Sequence, residues 1–271
     1  MLCIFAAMHG YSKGAGETIE TGNRIKVGAV SYLNTKPLIY GFEQGMMSEQ
    51  IELLFDFPSN IAKKLLNDEI DIGLVPVAVL PSMKEYHIVA DYCIGCNGAV
   101  ASVCLFSDVP LNEIKTVLLD YQSRTSVALL KILLKAHWKI EPELIAAKKG
   151  FEQSISGTTA GLVIGDRAFK QIPVSKYHFD LGLAWKEMTG LPFIFAAWVS
   201  NKKLSATFIE SFNGATAAGM KHLDEIVLQN KFEFYSLQQY YTENISYLVD
   251  ERKLMGLKLF LQKLNVPAAT V

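Results

Sequence analysis

From Val27 to Leu38 the chain reads Val27-Gly28-Ala29-Val30-Ser31-Tyr32-Leu33-Asn34-Thr35-Lys36-Pro37-Leu38. The apolar run suits a buried strand. It stops at small polar residues, and Pro37 suits the first turn of a helix, where its missing N–H costs nothing. A strand that ends in Ser31, Asn34 and Thr35 and feeds a helix gathers hydroxyls, an amide and unpaired backbone N–H groups in one place. This pattern demands an architecture in which strands and helices alternate, and it marks a first place where a small anion could be held.

The theme recurs along the chain. Residues 25–30 and 51–55 read as strands, and residues 37–44 as a helix that Gly45 ends. Pro58-Ser59-Asn60 is expected to cap a helix with Ile61, Leu65 and Leu66 on one face. Further strands are expected at 70–77, 86–92 and 99–106. After Pro110 the pattern restarts with a strand at 116–119, a polar turn at 120–126 and an apolar helix at 127–136. Residues 161–168 repeat the strand-then-turn theme. Residues 180–189 read as a loop with a short helix, 193–199 as a strand, and 204–264 as helical. Alternation of this kind implies an α/β protein with largely parallel sheets. The restart near 110 and the return near 198 leave room for two lobes, which the pattern alone does not decide.

Half of the 271 residues are hydrophobic, 20% are charged, and the formal net charge is -1. That is ample material for a core and argues against disorder. No basic block offers an electrostatic footprint for nucleic acid, and no apolar run reaches the roughly 18 residues of a membrane span. Residues 1–23 are expected to form an N-terminal extension. Its opening MLCIFAAM lacks the basic start of a secretion signal, and Gly14-Ala15-Gly16 lacks the Gly-Lys-Ser/Thr of a phosphate loop. The expected partner is a small molecule, met in the cytoplasm.

The four cysteines are Cys3, Cys93, Cys96 and Cys104. Cys93 and Cys96 have redox-pair or half-zinc spacing, but no second pair or neighbouring histidines complete a metal site. Buried reduced thiols are the expectation. The histidines (His9, His87, His137, His178, His222) are scattered. No metal or cofactor motif emerges.

In α/β sheets, ligands sit beyond the carboxyl ends of the strands, so the polar turns there are the candidates. They are Ser31–Thr35, Val75-Pro76 after Asp71-Ile72-Gly73, residues 97–102 with Ser102, Ser123-Arg124-Thr125-Ser126, and Gly165-Asp166-Arg167. Ser123-Arg124-Thr125-Ser126 has the strongest physical case, because hydroxyls, helix N–H groups and a guanidinium could share one anion. The competing reading makes Ser123 or Thr125 a plain N-cap and Arg124 a solvated side chain. Asp166 could equally pair with Arg167 or cap a helix, and Trp185 and Trp198 could stack on a ring or fill the core. None of these turns offers a histidine or a convincing carboxylate pair. Proton abstraction there calls for a weak base, a distant residue or the substrate's own carboxylate.

The opening motif resembles that of the chorismate dehydratases of the futalosine route to menaquinone. So do Asp71-Ile72-Gly73-Leu74-Val75-Pro76-Val77, residues 97–102, Leu119-Asp120 with residues 123–126, residues 162–168, Asp180-Leu181-Gly182 with Trp185, residues 189–193, and the tail at 240–261. The resemblance covers about residues 24–264; one departure is Cys96, where a small non-thiol residue is expected. It implies a two-lobed, periplasmic-binding-protein-like (type II) α/β fold with the ligand cleft between lobes. The lobes are expected at 24–107 with 198–271, and at 108–197. It also implies loss of water from chorismate, a dicarboxylate, to give 3-[(1-carboxyvinyl)oxy]benzoate. Asn34 and Ser102 match residues beside the reacting ring. Ser31, Tyr32, Thr35, Val75, Pro76, Ser123, Arg124, Thr125, Ser126, Gly165 and Asp166 are expected to bind substrate. The sister dihydroxynaphthoate synthases usually open on a Pro-Cys-Pro-Asn-Asp type sequence, unlike this chain. A non-catalytic carboxylate-binding protein on the same fold is the alternative of a different class, and would call for an export signal.

Overall fold

The computed structural model describes residues 24–264; the expectations for residues 1–23, with Cys3 and His9, lie outside them. Ten strands form two five-stranded sheets. The first contains β1 (Ile25–Ala29), β2 (Ile51–Phe55), β3 (Ile72–Pro76), β4 (His87–Cys96) and β10 (Phe193–Ser200), in the order β2-β1-β3-β10-β4. The second contains β5 (Val103–Ser107), β6 (Thr116–Leu119), β7 (Glu143–Ala146), β8 (Thr159–Ile164) and β9 (Tyr177–Asp180), in the order β7-β6-β8-β5-β9. Each sheet has a parallel trio followed by one strand that runs antiparallel to both its neighbours, β10 in the first and β5 in the second. The sheets are therefore mixed rather than largely parallel.

The antiparallel strand in each sheet is the one that arrives from the other sheet. The chain changes sheets between Cys96 and Val103, and again between Asp180 and Phe193. Boundaries at 107/108 and 197/198 would leave β5 with the first sheet and cut β10 in two. Both crossing strands are buried nearly throughout, so hydrophobicity runs unbroken through the exchange and cannot mark it. The pattern also misses β7, an exposed edge strand without alternation, and β9.

Helices flank the sheets: α1 (Lys36–Glu43), α2 (Pro58–Leu66), α3 (Arg124–Leu133), α4 (Asp166–Gln171) and α5 (Leu181–Thr189). The tail is not one continuous helical stretch. It breaks into α6 (Ala206–Lys221), α7 (Leu223–Gln229), α8 (Leu237–Gln239), which runs into a π-turn at Tyr240–Asn244, and α9 (Glu251–Leu264). At α2 the anchoring carboxylate lies two residues before the expected cap. Asp56 accepts from the Phe57 N–H at 2.7 Å, Asn60 Nδ2 at 2.8 Å and Lys64 Nζ at 2.8 Å.

Glycine fixes how closely α1 and α6 cross. A Cβ on Gly219 would lie 1.8 Å from the Pro37 carbonyl oxygen, and one on Gly41 would lie 2.2 Å from that of Ala215. Only a bare backbone fits at either point. Behind this crossing Trp198 packs edge-on against Phe42 and Phe212, while Trp185 packs against Phe193 and Phe260. Both tryptophans are fully buried and belong to the core.

Candidate active site

The carboxyl ends of β1, β3, β6 and β8 converge on one cleft, which the Val100–Val103 crossing also lines. The cavity is narrow, with a volume of about 70 Å³. From the first sheet come Tyr32, Asn34, Thr35 and Pro76; the crossing supplies Ser102; the second sheet supplies Gln122, Ser123, Thr125, Ser126 and Gly165. The walls between them are apolar, among them Leu74, Ile94, Ile164 and Phe195.

Four of the expected residues fall outside this lining. Ser31 is exposed on the turn, and Arg124, the first residue of α3, is exposed to solvent. Val75 is buried between two residues that do face the cleft, Leu74 and Pro76. Asp166 instead spans the two sheets' turns, accepting the Leu33 N–H at 3.3 Å. Asp71 precedes β3 and so sits at the strand's far end, bonded to the Lys26 N–H and to Lys202.

Several contacts join the two sides of the cleft. Tyr32 donates its hydroxyl proton to Gln122 Oε1 at 2.6 Å, and the Ala78 N–H donates to Thr125 Oγ1 at 3.1 Å. Gly165, at φ +63°, lies under the Tyr32 ring, which an added Cβ would meet at 3.5 Å. Ser123 is also an N-cap, accepting the Ser126 N–H at 3.0 Å. The crossing is held from beneath by Asp180, whose carboxylate accepts the Val100 and Ala101 N–H groups at 3.1 and 2.7 Å and caps α5 through Leu183. Ala101 adopts φ +61° there, a conformation a non-glycine residue rarely takes.

A partly buried ion network backs the second-sheet turn. Arg167 reaches Asp120 and Glu152, each at 2.6 Å, and Gln122 Oε1 at 3.0 Å. Burial raises the Asp120 carboxyl, and the Arg167 guanidinium with the Gln122 and Ile164 N–H groups opposes the rise. Burial opposes charge on Arg167 too, but Asp120 and Glu152 outweigh it and hold its pKa above the usual value. Among the described residues the cleft lining contains no Asp, Glu, His, Lys or Arg. Its one ionisable group, Tyr32, is pushed up by burial and stays protonated at neutral pH.

A profile of the menaquinone biosynthesis family matches residues 25–265. The chain belongs to that family. Chorismate dehydratase of Thermus thermophilus is 28% identical over 266 residues, spanning 90% of this chain and 96% of that protein. Among solved structures, a protein of Archaeoglobus fulgidus is 17% identical with TM-score 0.68, covering 89% of this chain and 96% of its own. The periplasmic aliphatic sulphonate binding protein SsuA of Escherichia coli is 12% identical with TM-score 0.58, covering 91% and 94%. A Candida albicans protein described as having the generic periplasmic binding protein fold is 13% identical with TM-score 0.60, covering 92% of each chain. At these identities the structures show the fold: this family member has the two-lobed periplasmic-binding-protein architecture.

In this member of the menaquinone biosynthesis family the described histidines all lie away from the cleft. His87 pairs with Glu85, His137 with Glu187, His222 stacks on Tyr40 and His178 lies beside Phe106. Cys93, Cys96 and Cys104 are buried free thiols; burial pushes Cys93 and Cys96 up to about 12, far from a reactive thiolate. Gln122 stands inside the polar turn at 120–126 but no motif distinguishes it from its neighbours. Tyr240, which bonds Ser102 from behind, carries no local motif either.

Proposed function

We propose that this member of the menaquinone biosynthesis family is a chorismate dehydratase, removing water from chorismate to give 3-[(1-carboxyvinyl)oxy]benzoate. The observation that carries this reading is the likeness to the Thermus thermophilus chorismate dehydratase over nearly the full length of both chains. The cleft suits such a substrate: neutral donors from both sides surround an apolar slot. The small-molecule substrate is met in the cytoplasm.

The chemistry follows from the substrate and from what lines the cleft. The ring carbon bearing the enolpyruvyl ether loses its proton, and the neighbouring carbon loses its hydroxyl. The freed electron pair completes an aromatic ring. That proton is vinylogous to the ring carboxylate, so donors placed on the carboxylate stabilise the charge that develops as the proton leaves. Ser123, Thr125 and Ser126, with the N–H groups that open α3, hold a carboxylate from the second-sheet side. Asn34 orients the ring or its departing hydroxyl, and Ser102 donates to a carboxylate or to that hydroxyl. With no carboxylate, imidazole or amine in the lining, the substrate's own enolpyruvyl carboxylate takes the proton. No metal or cofactor is required in this scheme.

Asn34→Ala and Ser102→Ala test the assignment. Each should lower chorismate turnover by about a hundredfold or more, as loss of a transition-state donor does, with the fold intact. Turnover at the wild-type rate in both variants would remove the two residues from the mechanism.

A further inference from the structure

Ser102 is 1% exposed, yet it reaches the cleft, and its backbone is fixed on both sides: its N–H bonds to the Val100 carbonyl at 2.7 Å and its carbonyl accepts the Gly165 N–H at 2.8 Å. Its side chain is fixed from a third direction. The Tyr240 hydroxyl, fully buried, donates to Ser102 Oγ at 2.7 Å. A serine hydroxyl has one proton and two lone pairs. With one lone pair taken by Tyr240, the serine proton turns away from the phenol, toward the cleft.

The Tyr240 ring has its own fixed seat. It lies edge-on to Phe169 at 4.9 Å and packs against Tyr235 and Tyr241. It opens the π-turn at Tyr240–Asn244, a rare widening of the helix that recurs at functional sites. Here the widening ends the short helix where its first residue must reach the crossing between sheets. Burial keeps the phenol protonated, with its bond to Ser102 working in the opposite direction.

We infer that Tyr240 is a positioning residue for the dehydration: its O–H···Oγ bond orients and polarises the Ser102 hydroxyl so that Ser102 donates a hydrogen bond to the substrate. This rests on the chorismate dehydratase reading and adds to it a residue that never touches the substrate. Hydrogen bonds in series strengthen one another, so the serine donates better as charge grows on the substrate oxygen than an isolated serine would. The effect belongs to the transition state and falls on kcat rather than on KM.

The test is a double-mutant cycle on chorismate turnover. Tyr240→Phe keeps the ring packing and removes only the hydroxyl. It should lower kcat about tenfold or more, change KM less than about threefold and leave thermal unfolding within a few degrees of wild type. Combined with Ser102→Ala it should cost almost nothing further, because Tyr240 acts through Ser102. A tyrosine serving only structure would multiply its penalty with that of Ser102→Ala, and that result overturns the inference. Wild-type turnover in Tyr240→Phe overturns it too, leaving the dehydratase reading intact. A wild-type protein that never converts chorismate overturns both.

Discussion

The Tyr32 hydroxyl donates to Gln122 Oε1 at 2.6 Å across the cleft, tying the turn after β1 to the turn after β6. Both residues line the cleft, and Gln122 is steadied from behind by Arg167 at 3.0 Å. The bond is a latch between the two sheets' turns at the cleft.

Tyr32→Phe removes the latch while keeping the ring over Gly165. Gln122 Oε1 retains Arg167, so no buried acceptor is orphaned. The cost is that of one net hydrogen bond, about 0.5–1.5 kcal/mol, which appears as a rise in KM of up to about tenfold with little change in kcat. Steady-state kinetics on chorismate decide it. An unchanged KM with a collapsed kcat would mean that the hydroxyl serves the chemistry instead.

Among the described residues Arg167 is the salt-bridge partner of both Asp120 and Glu152. The Asp120 side chain is wholly buried. Arg167→Ala leaves it with only the Gln122 and Ile164 N–H groups, and an uncompensated buried charge costs about 3–5 kcal/mol. Urea unfolding at neutral pH should show that loss. Removing the guanidinium raises the Asp120 pKa further, so the folded variant holds a proton at pH values where the unfolded chain does not. The deficit should therefore shrink as pH is lowered through that window. A deficit independent of pH would show that packing, not charge, is lost.

Asp56 titrates with the opposite sign. Its bonds to Lys64, Asn60 and the Phe57 N–H pull its carboxyl down to about 2 from an ordinary 3.8. The stability it contributes is fully present above the unfolded value and disappears as pH falls through the folded one. Acid titration of Asp56→Asn should therefore show a shallower decline than wild type below about pH 4. Superimposable acid curves would mean that the α2 anchor adds nothing to stability.

What could be read before the structure was whatever is local. A strand that ends in a polar turn and feeds a helix is written in consecutive residues, and so the turns at Ser31–Thr35, 120–126 and 165–168 stood out. Val75 and Pro76 cannot both face the cleft, because neighbours on a strand face opposite sides, and it is Pro76 that lines it. Arg124 and Asp166 depend on which way a helix's first turn faces, and composition does not set that. Sheet membership of β5 and β10 depends on pairing between residues far apart in sequence. Tyr240 meets Ser102 only because the tail folds back across both sheets, and nothing in its own neighbourhood announces this.

The most direct measurement incubates purified protein with chorismate and follows the products by liquid chromatography with mass detection. A chorismate dehydratase will yield 3-[(1-carboxyvinyl)oxy]benzoate, one water lighter than its substrate, with catalytic turnover and no added cofactor. Tight binding of chorismate without any conversion would contradict the central claim and leave a carboxylate-binding protein on the same fold.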